Sequence, residues 1–103
     1  MFSNYFDPIS QEVLDFKSKL SHNTIGFHIK CNDGNVFPEI ENTDIALIVV
    51  PENRGSNTNL APNTYSNFRK SFYQLFQGNW KFRITDFGDL KPAFFELYQL
   101  MGG

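Results

Sequence analysis

The sequence predicts an α/β fold: a partial three-layer α/β/α arrangement with a mainly parallel sheet, built on a β-loop-α-β unit preceded by an N-terminal helix. Three stretches predict it. Residues 45–50, Ile-Ala-Leu-Ile-Val-Val, form an uninterrupted aliphatic run, which suits a strand covered on both faces. Residues 63–76 carry apolar side chains at helical spacing, the mark of an amphipathic helix. From Trp80 to Thr85, apolar residues alternate with Lys81, Arg83 and Thr85, as on a strand with one wet face. Strand, loop, helix and strand in that order make a right-handed crossover the expected connection.

The first helix is expected to begin at Asp7-Pro8. Asp7 can cap free amides, and proline at the first helical position loses no needed donor. Ile9, Val13, Phe16 and Leu20 then form one apolar stripe, ending near Ser21. Lys17 and Lys19 suit the negative end of the helix dipole. Ile25, Phe27 and Ile29 alternate with small or polar residues over 24–31, predicting a short half-buried strand. Asn32-Asp-Gly-Asn35 is a turn signal, because Asp-Gly tolerates positive φ. Residues 36–38 are expected to run back briefly, with Pro38 restricting them to an edge.

The aliphatic run at 45–50 is expected as an inner strand, so Ile48→Asp should abolish folding by burying an unpaired charge. Pro51 ends it, and residues 52–62 have loop composition. Asn63 or Thr64 can cap the second helix. Tyr65, Phe68, Phe72, Leu75 and Phe76 are its expected buried face, with Arg69, Lys70 and Gln74 outside and Gly78 near its C-terminus. The strand at 80–85 is expected nearer the sheet edge. Residues 86–92 read as a loop, and Phe94, Leu97, Tyr98 and Met101 as a last short helix. Two parallel strands alone make a poor sheet. Residues 1–103 therefore read as a single domain or as the N-terminal fragment of a larger α/β hydrolase domain.

Composition narrows the function classes. Of 103 residues, 41% are hydrophobic and 17% aromatic, with 12 phenylalanines, which argues for a globular chain. A chain this long buries roughly two-thirds of its unfolded surface. Formal net charge is −2, and no basic stripe is present, so nucleic acid is a poor partner. The N-terminus has no secretory pattern, and the longest aliphatic run is far short of the ~20 residues that span a bilayer. With Cys31 alone, no internal disulfide can form. The cytoplasm is the expected location, and no membrane is expected as a partner.

Candidate chemistry is sparse. Loops leaving the C-terminal ends of parallel strands are where α/β sheets bind ligands, so Asn53, Arg54 and Asn57 are candidates for a substrate-rim loop. An ordinary solvated connector is the plainer alternative. His22, His28 and Cys31 lack metal-ligand spacing. Asp86 and Asp89 could hold a cation or act as acid and base, although Asp86 tethering a turn and Asp89 facing water is the simpler reading. Asp86-Phe-Gly matches a kinase triplet without the other kinase motifs. No phosphate loop or dinucleotide fingerprint occurs.

Several segments in order resemble a family. Asp44-Ile-Ala-Leu-Ile-Val-Val-Pro-Glu-Asn-Arg-Gly, Ala61-Pro-Asn-Thr-Tyr-Ser-Asn-Phe-Arg-Lys-Ser-Phe-Tyr-Gln-Leu-Phe, Gly78-Asn-Trp and Ile84-Thr-Asp-Phe-Gly-Asp-Leu look like the opening of a ureohydrolase. That superfamily includes arginase, agmatinase and formimidoylglutamase. The Pro-Glu-Asn-Arg-Gly loop, the helix at 68–76 and Gly-Asn-Trp look most like the formimidoylglutamase/arginase-like branch. The match covers roughly residues 8–92 and about the first third of such an enzyme.

The resemblance implies a mainly parallel three-layer sheet fold. It also implies hydrolysis of a guanidino or formimino C–N bond by hydroxide bridging two Mn2+ ions, which supply a nucleophile near neutral pH. The family's ligand motifs, Gly-Gly-x-His-Asp/Ser, Asp-x-His-x-Asp and Ser-x-Asp-x-Asp, do not occur here. No catalytic residue or bound cofactor is therefore expected of this chain alone. Its expected partner is the remaining C-terminal part of the same enzyme, or a further copy in a homo-oligomer. The other expectation is a non-catalytic interaction module derived from that family and needing a partner. After Pro92 the family continues into a longer helix and another strand, so a shortened form is expected.

Overall fold

The computed structural model describes residues 2–50 and 63–91. They form helices and a mixed four-stranded sheet. In chain order these are β1 (Phe6–Asp7), α1 (Gln11–Ser18), α2 (Ile25–His28), β2 (Lys30–Cys31), β3 (Ile45–Val49), α3 (Asn63–Tyr73) and β4 (Ile84–Leu90). Short 3-10 turns occupy Phe2–Tyr5 and Ile40–Asn42.

Every strand pairs with β4. β2 and β3 run parallel to it and β1 antiparallel. Thr85 pairs with both Lys30 and Ala46, and Asp89 with both Asp7 and Val49. Since a strand has two edges, β3 takes one, while β1 and β2 lie end to end along the other. This reverses the expected order. The buried central strand is β4, and β3 has one partner among the described residues. The reason lies beyond the alternating stretch: Trp80 and Phe82 stand exposed before the strand, stacked edge-on with centroids 5.8 Å apart. The strand itself is Ile84 to Leu90, so 86–90 is sheet and not loop.

Helix α1 starts later than Asp7. Ser10 is the cap, its hydroxyl accepting from the Val13 amide. Asp7 is instead committed to β1, opposite Asp89. Thr24 likewise caps α2 by accepting from the Phe27 amide. Residues 25–28 are therefore helical where alternation predicts a strand. Ile25 and Ile29 are both buried and Phe27 is exposed, a spacing of four that serves a helical turn as well. Only Lys30–Cys31 is strand. The turn at 32–35 forms as expected. Gly34 takes φ +89°, and Asp33 Oδ1 accepts from the amides of Asn35 and Val36. Residues 36–38 do not pair as a strand.

The core lies between the sheet and the helices. Ile9, Val13, Ile25, Ile29, Tyr73 and Ile84 are its centre, with Leu47 and Phe72 packed against it. The inward face of α3 is Ser66, Arg69 and Tyr73, rotated from the expected one. Phe68, Leu75 and Phe76 are exposed, and the helix ends at Tyr73. On the far flank, Lys70 pairs with Glu12 of α1 and lies over the Phe16 ring. Phe68 and Phe72 stack on the flank turned away from α1, centroids 6.2 Å apart.

Candidate functional site

The polar side chains that converge in this structure do so where α3 crosses the C-terminal half of β4. Pairing steps from Leu47–Asp86 to Ile48–Gly88, so Phe87 is an extra residue and β4 carries a bulge there. Gly88 adopts φ +101°, and a Cβ on it would stand 2.1 Å from the Asp7 carbonyl oxygen. Glycine is needed both for the backbone angle and for the close approach of β1. The bulge carries Phe87 among Phe6 and Phe37, at centroid distances of 6.2 and 5.4 Å. Asp86 reaches α3.

Asp86 is fully buried. Its Oδ2 accepts from Arg69 Nε at 2.7 Å and from the Tyr73 hydroxyl at 2.6 Å. Its Oδ1 accepts from Arg69 Nη2 and from the Gly88 amide, each at 3.0 Å. Arg69 Nη1 donates to Asp89 Oδ1 at 2.7 Å. One guanidinium, 3% exposed, thus holds two carboxylates in a planar fork. Asn32 closes the cluster from the β2 side. Its amide donates to the Asp86 carbonyl at 2.9 Å and its Nδ2 to the Phe87 carbonyl at 3.0 Å.

The electrostatics follow from burial and pairing. Burial opposes the Arg69 charge, but hydrogen bonds and the charge of Asp86, then those of Asp89, outweigh it and raise its pKa. Burial, then the Asp86 charge, pushes the Tyr73 hydroxyl well above its usual range, so it stays a donor. Burial also raises the Cys31 thiol, against a lowering contact with the Tyr73 hydroxyl at 3.4 Å. A raised thiol pKa makes Cys31 a poor nucleophile near neutral pH.

Asp86 does tether its own backbone, through the Gly88 amide, and Asp89 is partly exposed, but neither carboxylate is free. They are counter-ions to a buried arginine, and that pairing competes directly with any cation. Among the described residues, no group of three His, Cys, Asp or Glu could hold a metal ion, so those residues by themselves do not fit the manganese pair that the resemblance implies. His28 Nε2 lies 2.7 Å from the His22 carbonyl oxygen, whereas the Cys31 thiol contacts the Tyr73 hydroxyl. Asn53, Arg54 and Asn57 lie outside the described residues, as do the expected loop at 52–62 and helix at 94–101. No described helix is long and apolar enough to cross a membrane.

Sequence reasoning missed Arg69 because an arginine between Phe68 and Lys70 reads as surface. A signal did exist: Ser66, Arg69 and Tyr73, at spacings of three and four, form a stripe of hydrogen-bonding side chains facing a strand that carries Asp86 and Asp89. No family model, curated protein or solved structure matches this chain.

Proposed function

We propose that this chain is the N-terminal part of a ureohydrolase-like, binuclear-manganese C–N hydrolase acting on a guanidino or formimino substrate, most like the formimidoylglutamase/arginase-like branch, and that it is inactive alone. One observation carries the reading. Phe-Arg of the helix and Asp-Phe-Gly-Asp of the strand, two of the segments on which the resemblance rests, are locked together through Arg69, Asp86 and Asp89. Segments that keep company in sequence also depend on one another physically.

Exposed apolar residues on β3 and α3 support the larger, mainly parallel three-layer architecture. β3 is aliphatic and uncharged, yet it has one partner among the described residues, and Ile48 is 39% exposed. Phe68, on the α3 flank turned from α1, is 50% exposed. A further strand beside β3, with a helix beside α3, would cover both layers at once. On this reading, the remaining C-terminal part of the enzyme supplies those elements and the metal ligands. A partner protein could cover the same side if the chain is a non-catalytic module, since apolar patches of this kind mark interaction sites.

The deciding experiment is complementation. The chain is co-expressed with a formimidoylglutamase lacking its own first third, and formamide or urea release is measured with Mn2+. Restored turnover, absent from either part alone, is the expected result. Robust turnover by this chain alone overturns the proposed inactivity, and a stable monomer that complements nothing favours the module.

A further inference from the structure

We propose that the cavity between α1, β2 and residues 33–42 binds a small zwitterion with an apolar body, of the class of a free aliphatic α-amino acid. The cavity has a volume of about 550 Å³, within the range of small-molecule sites. Leu14, Ile29, Val36, Phe37 and Pro38 supply apolar wall, and Val36 is exposed despite being aliphatic. Lys17, Lys30, Asp33 and Glu39 also line it, two of each sign. A simple anion or cation would meet like charge on this rim, whereas a molecule carrying both charges finds a partner for each.

The side chains divide the work. Lys30 is held in β2 by its backbone pairing with Thr85 and its side chain is exposed, so its ammonium is available to a carboxylate, with Lys17 as the second cation. Lys17 is held only by a 3.4 Å contact to the Phe27 carbonyl. Asp33 uses Oδ1 to cap the turn at Asn35 and Val36, which keeps its carboxyl ionised below the usual range. Glu39 receives Asn42 Nδ2 on Oε2 at 2.7 Å, which fixes the carboxylate and leaves its other oxygen for an ammonium. The site is separate from the Arg69–Asp86 cluster and goes beyond the hydrolase reading.

Leucine titrated into the isotope-labelled chain tests it by amide chemical shifts, with 4-methylpentanoate and isoamylamine as analogues lacking one charge each. The expected result is saturable binding of leucine in the millimolar range, with shifts confined to 14–17 and 29–42. Each analogue, and each of the exposed-residue variants Lys30→Gln and Glu39→Gln, should bind about tenfold more weakly, the loss of one charge-assisted hydrogen bond. No saturable leucine shift overturns the proposal. So does either analogue binding as tightly as leucine, or both variants binding it unchanged.

Discussion

Asp86 Oδ2 receives two donors at once, Arg69 Nε at 2.7 Å and the Tyr73 hydroxyl at 2.6 Å. The donors sit four residues apart on α3, so one carboxylate oxygen fixes both the rotation and the height of that helix over β4. Asp86 shares the helix-facing side of β4 with Ile84, two residues before it, and the extra residue at Phe87 brings Asp89, three residues on, to the same side without breaking the pairing of β3 with β4. Local strand irregularity and helix orientation are one arrangement.

Arg69→Met removes the cation and leaves Asp86 buried with the Tyr73 hydroxyl and the Gly88 amide as its donors. Breaking a buried pair from one side costs about 3–5 kcal/mol. Changing Asp86→Leu in the same chain should recover much of that loss, because no orphan charge is then buried. Urea denaturation of the single and double variants measures both. Equal stability of Arg69→Met and the parent chain would mean the fork contributes nothing.

Two glycines with positive φ should respond differently. At Gly88, a new Cβ meets the Asp7 carbonyl oxygen at 2.1 Å, backbone that must move. At Gly34 the nearest atoms are Pro8 carbons at 3.4 Å. Gly34→Ala should cost about 1 kcal/mol, the ordinary penalty for that backbone region. Gly88→Ala adds displacement of β1 and should cost about 3 kcal/mol or more. Thermal melts of the pair give the ranking.

Stability should fall at alkaline pH. The folded chain holds the Tyr73 proton through burial and the neighbouring Asp86 charge, while an unfolded tyrosine gives it up near pH ~10. With the folded pKa the higher one, the contribution is intact below about pH 10 and is lost above it, at about 1.4 kcal/mol per pH unit. Cys31, raised by burial, starts a similar loss from about pH 8.5. Tyr73→Phe should flatten the upper part of the curve and Cys31→Ala the lower. Urea midpoints between about pH 8 and 11 provide the check.

The sequence was legible where a pattern has one physical cause. Asp33-Gly34 makes its turn because glycine reaches φ +89°, and the aliphatic run at 45–49 is a strand parallel to a second one across a helix. It was ambiguous where two causes share a pattern. Ile25, Phe27 and Ile29 fit a period of two, while Ile25 and Ile29 also fit one helical turn, and the Thr24 cap decides for the helix. Asp-Phe-Gly-Asp has turn composition, yet a bulge needs the same glycine. The inward face of α3 was misjudged because its buried positions are polar, and only the strand opposite explains them.

Ile48→Asp separates the fold from the proposed role. An inner strand would make it lethal to folding, but Ile48 is 39% exposed on a strand with one partner among the described residues. Its carboxylate would stay in water, so the chain alone should lose no more than about 1 kcal/mol. Within a larger sheet the same carboxylate is buried without a partner and costs several kcal/mol. The variant should therefore melt near the parent chain and yet fail to restore turnover in the complementation experiment. If it complements as well as the parent, whatever restores activity does not cover this face of β3, and the proposed place of the chain in a three-layer hydrolase falls.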